Sequence, residues 1–350
     1  MIHFFPTFSK NAADTEYGRA LRRLGVEHRI FASNVPTQYR RRISLYLLII
    51  PKLAYVALRS AIASLVVARP APDVVVVGSD VHVLLFALVR FAARRRARII
   101  LGSFIFTDRH SSYLNIVRRF YYGLVLSFVD RAIVHSRVEV QRYQEIFHGL
   151  GVKFCFVPWG TTIGDRDSLL GKYKNHDQRK TYIVAAGRSG RDYNTLLQAF
   201  QGLDAYLRVV SNYIPEMARA KIDPRVEILT SCFGEEYMRE IIGSTIVVVP
   251  LAVADISAGQ MVVVQSMGLG KAIIVTDTPT IRDYVVDGQN GVLVPMGDAN
   301  AMRAAIQDLL QNPEKRARLG TNARATFDAN LSTEGHLRGL IESIYETESI

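Results

Sequence analysis

Short runs of β-branched and aliphatic residues recur along the chain, separated by longer stretches with helical spacing. In the first half these runs are Asp73–Gly78 (DVVVVG), Arg98–Ser103 (RIILGS), Arg131–His135 (RAIVH) and Lys153–Pro158 (KFCFVP), with predicted helices over 80–96 and 112–128 between them. Strands that are apolar throughout, rather than alternating, are buried on both faces, which implies a parallel sheet covered on both sides. The segment Gly160–Lys180 is polar and turn-rich, has no strong period, and reads as a domain linker. The alternation then restarts with Tyr182–Gly187 (YIVAAG), Leu207–Val210, Val226–Leu229, Thr245–Pro250 (TIVVVP), Ala272–Thr276 (AIIVT) and Gly291–Pro295 (GVLVP). The predicted fold class is α/β: two doubly wound, Rossmann-like domains in tandem, with the cleft between them as the expected ligand site.

Composition agrees with this picture. A chain of 350 residues, 49% hydrophobic and 21% charged, is folded over most of its length and large enough for two domains. Only two cysteines, Cys155 and Cys232, exclude a disulfide scaffold and cysteine-rich metal modules, and they suit a reducing compartment. The start, MIHFFPTFSK, lacks the basic and apolar regions of a secretory signal.

Charge changes the picture for one half only. Residues 1–150 hold 22 Lys+Arg against 9 Asp+Glu, a balance of +13, whereas 151–350 hold 21 against 23. Such a field suits an anionic membrane surface, nucleic acid or an anionic substrate. Segment 41–69 favours the membrane. It is apolar, interrupted by Lys52 and Arg59, and carries Pro51, which is expected to kink or end a helix. Its uncharged pieces are too short to span a bilayer, but a helix lying in the interface, beside Arg40–Arg42 and Arg94–Arg96, fits. No zinc-finger, RRM or basic-zipper signature accompanies the charge, so a nucleic-acid partner is not expected.

Several chemistries are excluded by their missing motifs: the phosphate loop, the nucleophile elbow, the H-E-x-x-H zinc pair and a well-formed G-x-G-x-x-G after a strand. Two signals remain in the second half. Strand 182–187 runs into Gly187-Arg188-Ser189-Gly190-Arg191-Asp192-Tyr193 and then a helix. Arginines at a helix N-terminus offer bidentate donors to a diphosphate, with the helix dipole adding to the attraction. The second signal is 246–271, in which a strand ends at Pro250 and a helix over 257–269 is expected, N-capped by Ser257. The small residues Ala258 and Gly259, followed by Gln260, leave backbone N–H groups open to a sugar or phosphate.

From about residue 180 to 332 the order of these features resembles the retaining GT-B glycosyltransferases of the family 4 (glycosyl transferases group 1) type. The pieces that carry the resemblance are AAGRSGRDYNTLLQAF, VVVPL, SAGQMVVVQSMGLGKAIIVTD, DGQNGVLVP and NPEKRARLGTNAR. In the first half, VDRAIVHSRVEVQRYQEIF and FCFVPWGTT look like the final β/α unit of that family's first domain and its interdomain entry. The resemblance implies that Gly187, Arg188 and Arg191 hold the diphosphate of a nucleotide sugar, with no metal or other cofactor. The family's two glutamates, eight residues apart, fall on Ser257 and Gln265, and neither is glutamate here. Gln265 can hydrogen-bond ribose hydroxyls, whereas Ser257 is too short to reach the sugar. Asp255 or the backbone of Ala258, Gly259 and Gln260 would take its place, which leaves the donor sugar open.

The first domain is expected to bind the acceptor. Beyond strand 98–103, Asp108 or His110 would accept a proton from the acceptor hydroxyl or orient it, and His135-Ser136 follows the next strand. The expected organisation is an acceptor domain over 1–165, a donor domain over 178–332, and a last helix within 333–350 packing back toward the first. The function implied is transfer of a sugar to a lipid-linked saccharide in cell-surface polysaccharide synthesis, by a cytoplasmic enzyme seated peripherally on the membrane. A non-catalytic GT-B partner subunit, a nucleic-acid-binding protein and a GT-B epimerase or phosphorylase are the alternatives.

Overall fold

The computed structural model describes residues 1–5, 15–31, 43–107, 112–150, 153–164, 166–173, 181–212 and 223–346, with backbone alone for 43–50 and 112. The chain forms two compact units. One comprises Met1–Val157 with Leu337–Ile350, the other Pro158–His336.

The first unit is built on a parallel six-stranded sheet in the order β2-β1-β3-β4-β5-β6. Its strands are β1 (Ile2–Phe5), β2 (His28–Ile30), β3 (Val74–Val77), β4 (Arg98–Leu101), β5 (Arg131–Val134) and β6 (Lys153–Phe156). The unbroken valines of β3 serve two cores because side chains alternate across a strand. Val75 and Val77 join one core, Val74 and Val76 the other. Helices α2 (Ile43–Ile62), α3 (Asp80–Ala92), α4 (Ser112–Leu126) and α5 (Arg137–Ile146) cover the first of these faces through Ala61, Phe86, Val125 and Tyr143. The other face is covered by α1 (Glu16–Arg23) and by the last helix, whose Leu337, Leu340 and Ile344 pack on Ile2, Phe4 and Ile133.

Helix α2 runs through Pro51 and continues into a π-helical turn over Ala63–Val67. The proline removes one backbone bond, but beyond it Ala57 and Ala61 are fully buried, Ala61 in the core that holds Phe86 of α3, and packing keeps the helix whole. Among the described residues no helix is long and apolar enough to cross a membrane.

Two buried histidines make this unit pH-sensitive. His3 Nδ1 and Ser64 Oγ share a hydrogen bond of 2.8 Å, as do His82 Nδ1 and Ser79 Oγ. Burial is the main cause that pushes each imidazole down to about 4; Arg29 and the chain N-terminus add to it at His3, and Asp80 opposes it at His82. An unfolded histidine titrates near 6.5, so between these values the unfolded chain binds more protons. The histidines' contribution is therefore complete above about pH 6.5 and is lost as pH falls toward 4. The expected loss is ~2 kcal/mol per histidine between about pH 7 and pH 5. Urea unfolding at the two pH values checks this: the difference should shrink in His82→Gln, and an unchanged difference would contradict it.

The second unit repeats the plan with the order β12-β11-β10-β7-β8-β9, all parallel. Its strands are β7 (Tyr182–Ala186), β8 (Tyr206–Val210), β9 (Val226–Leu229), β10 (Ile246–Val249), β11 (Ile273–Thr276) and β12 (Val292–Val294). Its helices are α6 (Arg166–Tyr173), α7 (Tyr193–Phe200), α8 (Glu235–Gly243), α9 (Gln260–Gly268), α10 (Ala299–Gln311) and α11 (Pro313–Thr326). The last helix, α12 (Thr333–Tyr345), begins in this unit and ends in the first. The segment expected to be a linker contains α6, because Leu169, Leu170 and Tyr173 supply enough apolar surface to dock on the core. Strand order reverses between β7 and β10, and in doubly wound sheets ligands sit beyond the carboxyl ends of the strands at such a point.

Candidate functional site

The two loops that leave this switch point carry both sequence signals, and backbone pairing joins them. Arg191 and Leu251 form an isolated antiparallel bridge. Asp192 N donates to Pro250 O at 3.1 Å, and Ala252 N donates to Gly190 O at 2.9 Å. Gly190 makes the close approach possible. Its φ is +64°, and an added Cβ would lie 2.6 Å from Val253 Cγ2 and 3.2 Å from Ala258 Cβ. Gly190→Ala is accordingly expected to push the loops apart and to destabilise the fold by about 1–3 kcal/mol, the usual cost of overpacking. Thermal melting of the variant checks this, and a wild-type Tm would contradict it.

The two arginines of the first loop have different places. Arg191 is turned onto its own backbone, with Nε donating to Ala186 O and a terminal nitrogen to Ser189 O, both at 2.8 Å. Its guanidinium lies over Gly187, where a Cβ would come within 2.3 Å of it. Burial is the main cause that lowers its pKa from the usual arginine value, while Tyr193 and Tyr237 oppose the shift. Tyr193 closes the same turn by donating to Gly187 O at 2.5 Å. Arg188 is exposed and has no partner among the described residues. It is the cation of the pair that no described residue holds.

The helix after this loop is already capped. Asp192 accepts from Thr195 N at 3.0 Å and from Thr195 Oγ1 at 2.6 Å, so its carboxylate takes the positive end of α7. Of the two helices that follow these loops, α9 is the one whose N-terminus has no side-chain cap. The helix opens at Gln260 rather than near Ser257, and its N-cap is Gly259 with φ +91°. Ser257 therefore does not cap it. A Cβ at Gly259 would lie 3.1 Å from both Val249 Cγ1 and Leu251 Cδ2, so the chain turns into the helix only at a glycine. The N–H groups of the first turn then have no intrahelical acceptor.

Further candidates surround that turn. Ala258 and Gln260 are buried, Ser257 is half-buried and Asp255 is exposed. Gln260 Nε2 and Gln265 Oε1 are buried without a hydrogen-bond partner among the described residues. Buried polar atoms of this kind are uncommon and call for an additional partner. Sequence reasoning missed Thr276, whose Oγ1 accepts from Leu251 N at 2.9 Å and ties the second loop to β11, and Tyr193 at the start of α7. Both lie inside the runs that carry the resemblance, but Thr276 acts through a backbone group of another loop and Tyr193 through one of its own turn, contacts that residue type alone does not reveal.

In the first unit, Asp108 and His110 lie outside the described residues. His135 is buried between Ser103 Oγ, 2.9 Å from its Nε2, and Val157 O, 3.0 Å from its Nδ1. Ser136 caps α5 by accepting from Val138 N at 3.2 Å. Among the described residues no group of three or more His, Cys, Asp or Glu could hold a metal ion.

Two parallel, doubly wound sheets with helices on both faces define a GT-B fold, and solved structures agree over the full chain. Sucrose-phosphate synthase from Thermosynechococcus elongatus superposes with a TM-score of 0.69 at 16% identity, covering 98% of each chain. HepE of Anabaena, solved in complex with UDP-glucose, superposes with a TM-score of 0.64 at 16% identity, covering 99% of each chain. Residues 171–326 match the family described as glycosyl transferases group 1. A phosphatidyl-myo-inositol mannosyltransferase of Mycolicibacterium smegmatis is 34% identical over 89 residues, 25% of this chain. The match spans 22% of that relative's length.

Proposed function

We propose that the protein is a glycosyltransferase that moves a sugar from a nucleotide diphosphate sugar to an acceptor hydroxyl. The observation that carries this reading is the pairing, inside the family-matched segment, of a loop bearing an exposed arginine with an uncapped helix N-terminus. As the bond to the anomeric carbon breaks, negative charge grows on the departing diphosphate. Arg188 and the N–H groups of α9 stabilise that charge without a metal, and Arg191 holds the loop in place. Gln265 binds the ribose. The donor sugar is met by Asp255, Ser257 and the backbone of Ala258, Gly259 and Gln260. Retention of anomeric configuration is what the family resemblance implies.

The acceptor in this reading is a lipid-linked saccharide of cell-surface polysaccharide synthesis at an anionic membrane surface on the cytoplasmic side. Support comes from the basic and apolar first unit. Asp108 or His110 would orient the acceptor hydroxyl or take its proton. The second reading is a non-catalytic relative acting as a partner subunit, favoured by Ser257 and Gln265 where the family has glutamates. Release of nucleoside diphosphate from a panel of nucleotide sugars, with and without polyprenyl-diphosphate saccharides, separates the two. Acceptor-dependent release is expected of the enzyme. Binding without release under every condition would contradict it.

A further inference from the structure

Helix α4 reverses the usual arrangement of a surface helix. Tyr113, Ile116, Val117, Phe120 and Leu124 recur at three- and four-residue spacing and all face solvent, Phe120 at 79% exposure and Tyr113 at 72%. Its C-terminal end enters the core through Val125 and Leu126, with Tyr122 packed against that core beside Phe104 and Phe106. Arg118 instead folds inward, donating to the Thr107 carbonyl with its guanidinium 5.0 Å from the Phe106 ring centre.

The neighbouring helices extend this face. Helix α3 packs against α2 on one side and α4 on the other, and all three present their inner sides to one core. Their outer sides therefore face the same way. Phe91 and Leu88 of α3 and Tyr55 of α2 are exposed there, Phe91 at 85%. The largest apolar patch of an ordinary monomer is about 300–600 Å². Phe91, Phe120 and Tyr113, at about 150–250 Å² of side chain each, come close to that without their neighbours.

Charge selects the occupant. Residues 41–129 hold 13 Lys+Arg against 3 Asp+Glu, which is +10 of the chain's net +11. Helices α2 and α4 contain no acidic residue, and Arg94 and Arg96 are exposed just past the end of α3. A second copy of this chain on the same patch would set these cations against one another. An anionic bilayer satisfies both terms at once: apolar side chains enter the acyl boundary while the arginines stay with the headgroups.

We infer that the outer face of α4, with the adjoining sides of α2 and α3, seats the first unit in the headgroup–acyl boundary of an anionic lipid bilayer. The inference rests on the membrane part of the reading above and not on its sugar-transfer part. Sedimentation of the full chain with phosphatidylcholine vesicles, with and without phosphatidylglycerol, tests it in the absence of nucleotide. Binding is expected to the vesicles that contain phosphatidylglycerol. The pair Ile116→Glu and Phe120→Glu should weaken it by on the order of tenfold or more with unchanged thermal melting, since both side chains are exposed. The pair Arg94→Gln and Arg96→Gln should weaken it by about fivefold per arginine and remove the lipid preference. No binding to anionic vesicles, or equal binding by the glutamate pair, would overturn the inference. So would a dimer in sedimentation velocity that the glutamate pair dissociates while vesicles bind neither form. Nucleotide titration of the same samples distinguishes this failure from failure of the sugar-transfer reading.

Discussion

Arg188→Ala is expected to lower sugar transfer by on the order of 10²–10³-fold, the usual effect of removing one group that stabilises charge in the transition state. Its stability should stay within about 0.5 kcal/mol of wild type, because the side chain is exposed and has no partner among the described residues. Arg188→Lys should recover part of the activity, since an ammonium keeps the charge but loses the two-pronged donor geometry. Arg191→Ala should behave differently. It strips the carbonyls of Ala186 and Ser189 of their donors and opens space over Gly187, so stability and activity should fall together. Steady-state kinetics beside thermal melting of the three variants checks this. Full activity in Arg188→Ala would contradict the assignment.

The largest expected loss of stability is at Gly320. This residue lies in α11 against the turn that ends α9, and an added Cβ would sit 2.2 Å from Gly270 O and 3.1 Å from Gly270 C. Those neighbours are backbone, so no side-chain movement can relieve the clash. Gly320→Ala is expected to destabilise the second unit by ~3 kcal/mol, at the upper end of overpacking costs. For a unit of this size that corresponds to a fall in Tm of about 6–12 °C. The turn also anchors the C-terminal end of α9, so nucleotide affinity should fall as well. Gly171 in α6 has nothing within 4 Å of its added Cβ. Gly171→Ala should be neutral or stabilising by about 0.4–1 kcal/mol. Calorimetric melting of the two variants gives the comparison, and equal Tm values would contradict it.

The central strands were legible because each is apolar on both faces, as the valines of β3 and β10 show. β1 and β2 were not read from the sequence. β1 is four residues long and carries His3, which is buried through its bond with Ser64, 61 positions away. β2 is only His28–Ile30. Helix α6 escaped for a related reason, since its docking residues lie in a polar stretch and depend on a core formed elsewhere. At the site, the loops themselves were legible from glycines at strand ends. The different orientations of Arg188 and Arg191 were not, because they depend on which carbonyls the fold brings within reach. The start of α9 was misplaced by three residues because Ser257 is a good capping residue by type, whereas the turn needs the positive φ of Gly259. Lys271, within the run that resembles the family, proves to be a clasp: Nζ donates to the carbonyls of Ile242 and Ser244 where α8 ends. Burial, with a smaller effect of Arg316, lowers its pKa to about 8.

Calorimetric titration of UDP, GDP, ADP, TDP and their common sugars into the wild type and Arg188→Ala tests the donor site most directly. One nucleotide family should bind the wild type, and the variant should bind it weaker by on the order of tenfold or more, the worth of a charge-assisted contact to phosphate. Absence of binding by any nucleotide, or equal binding by the two proteins, would contradict a diphosphate site at the junction of the β7–α7 and β10–α9 loops.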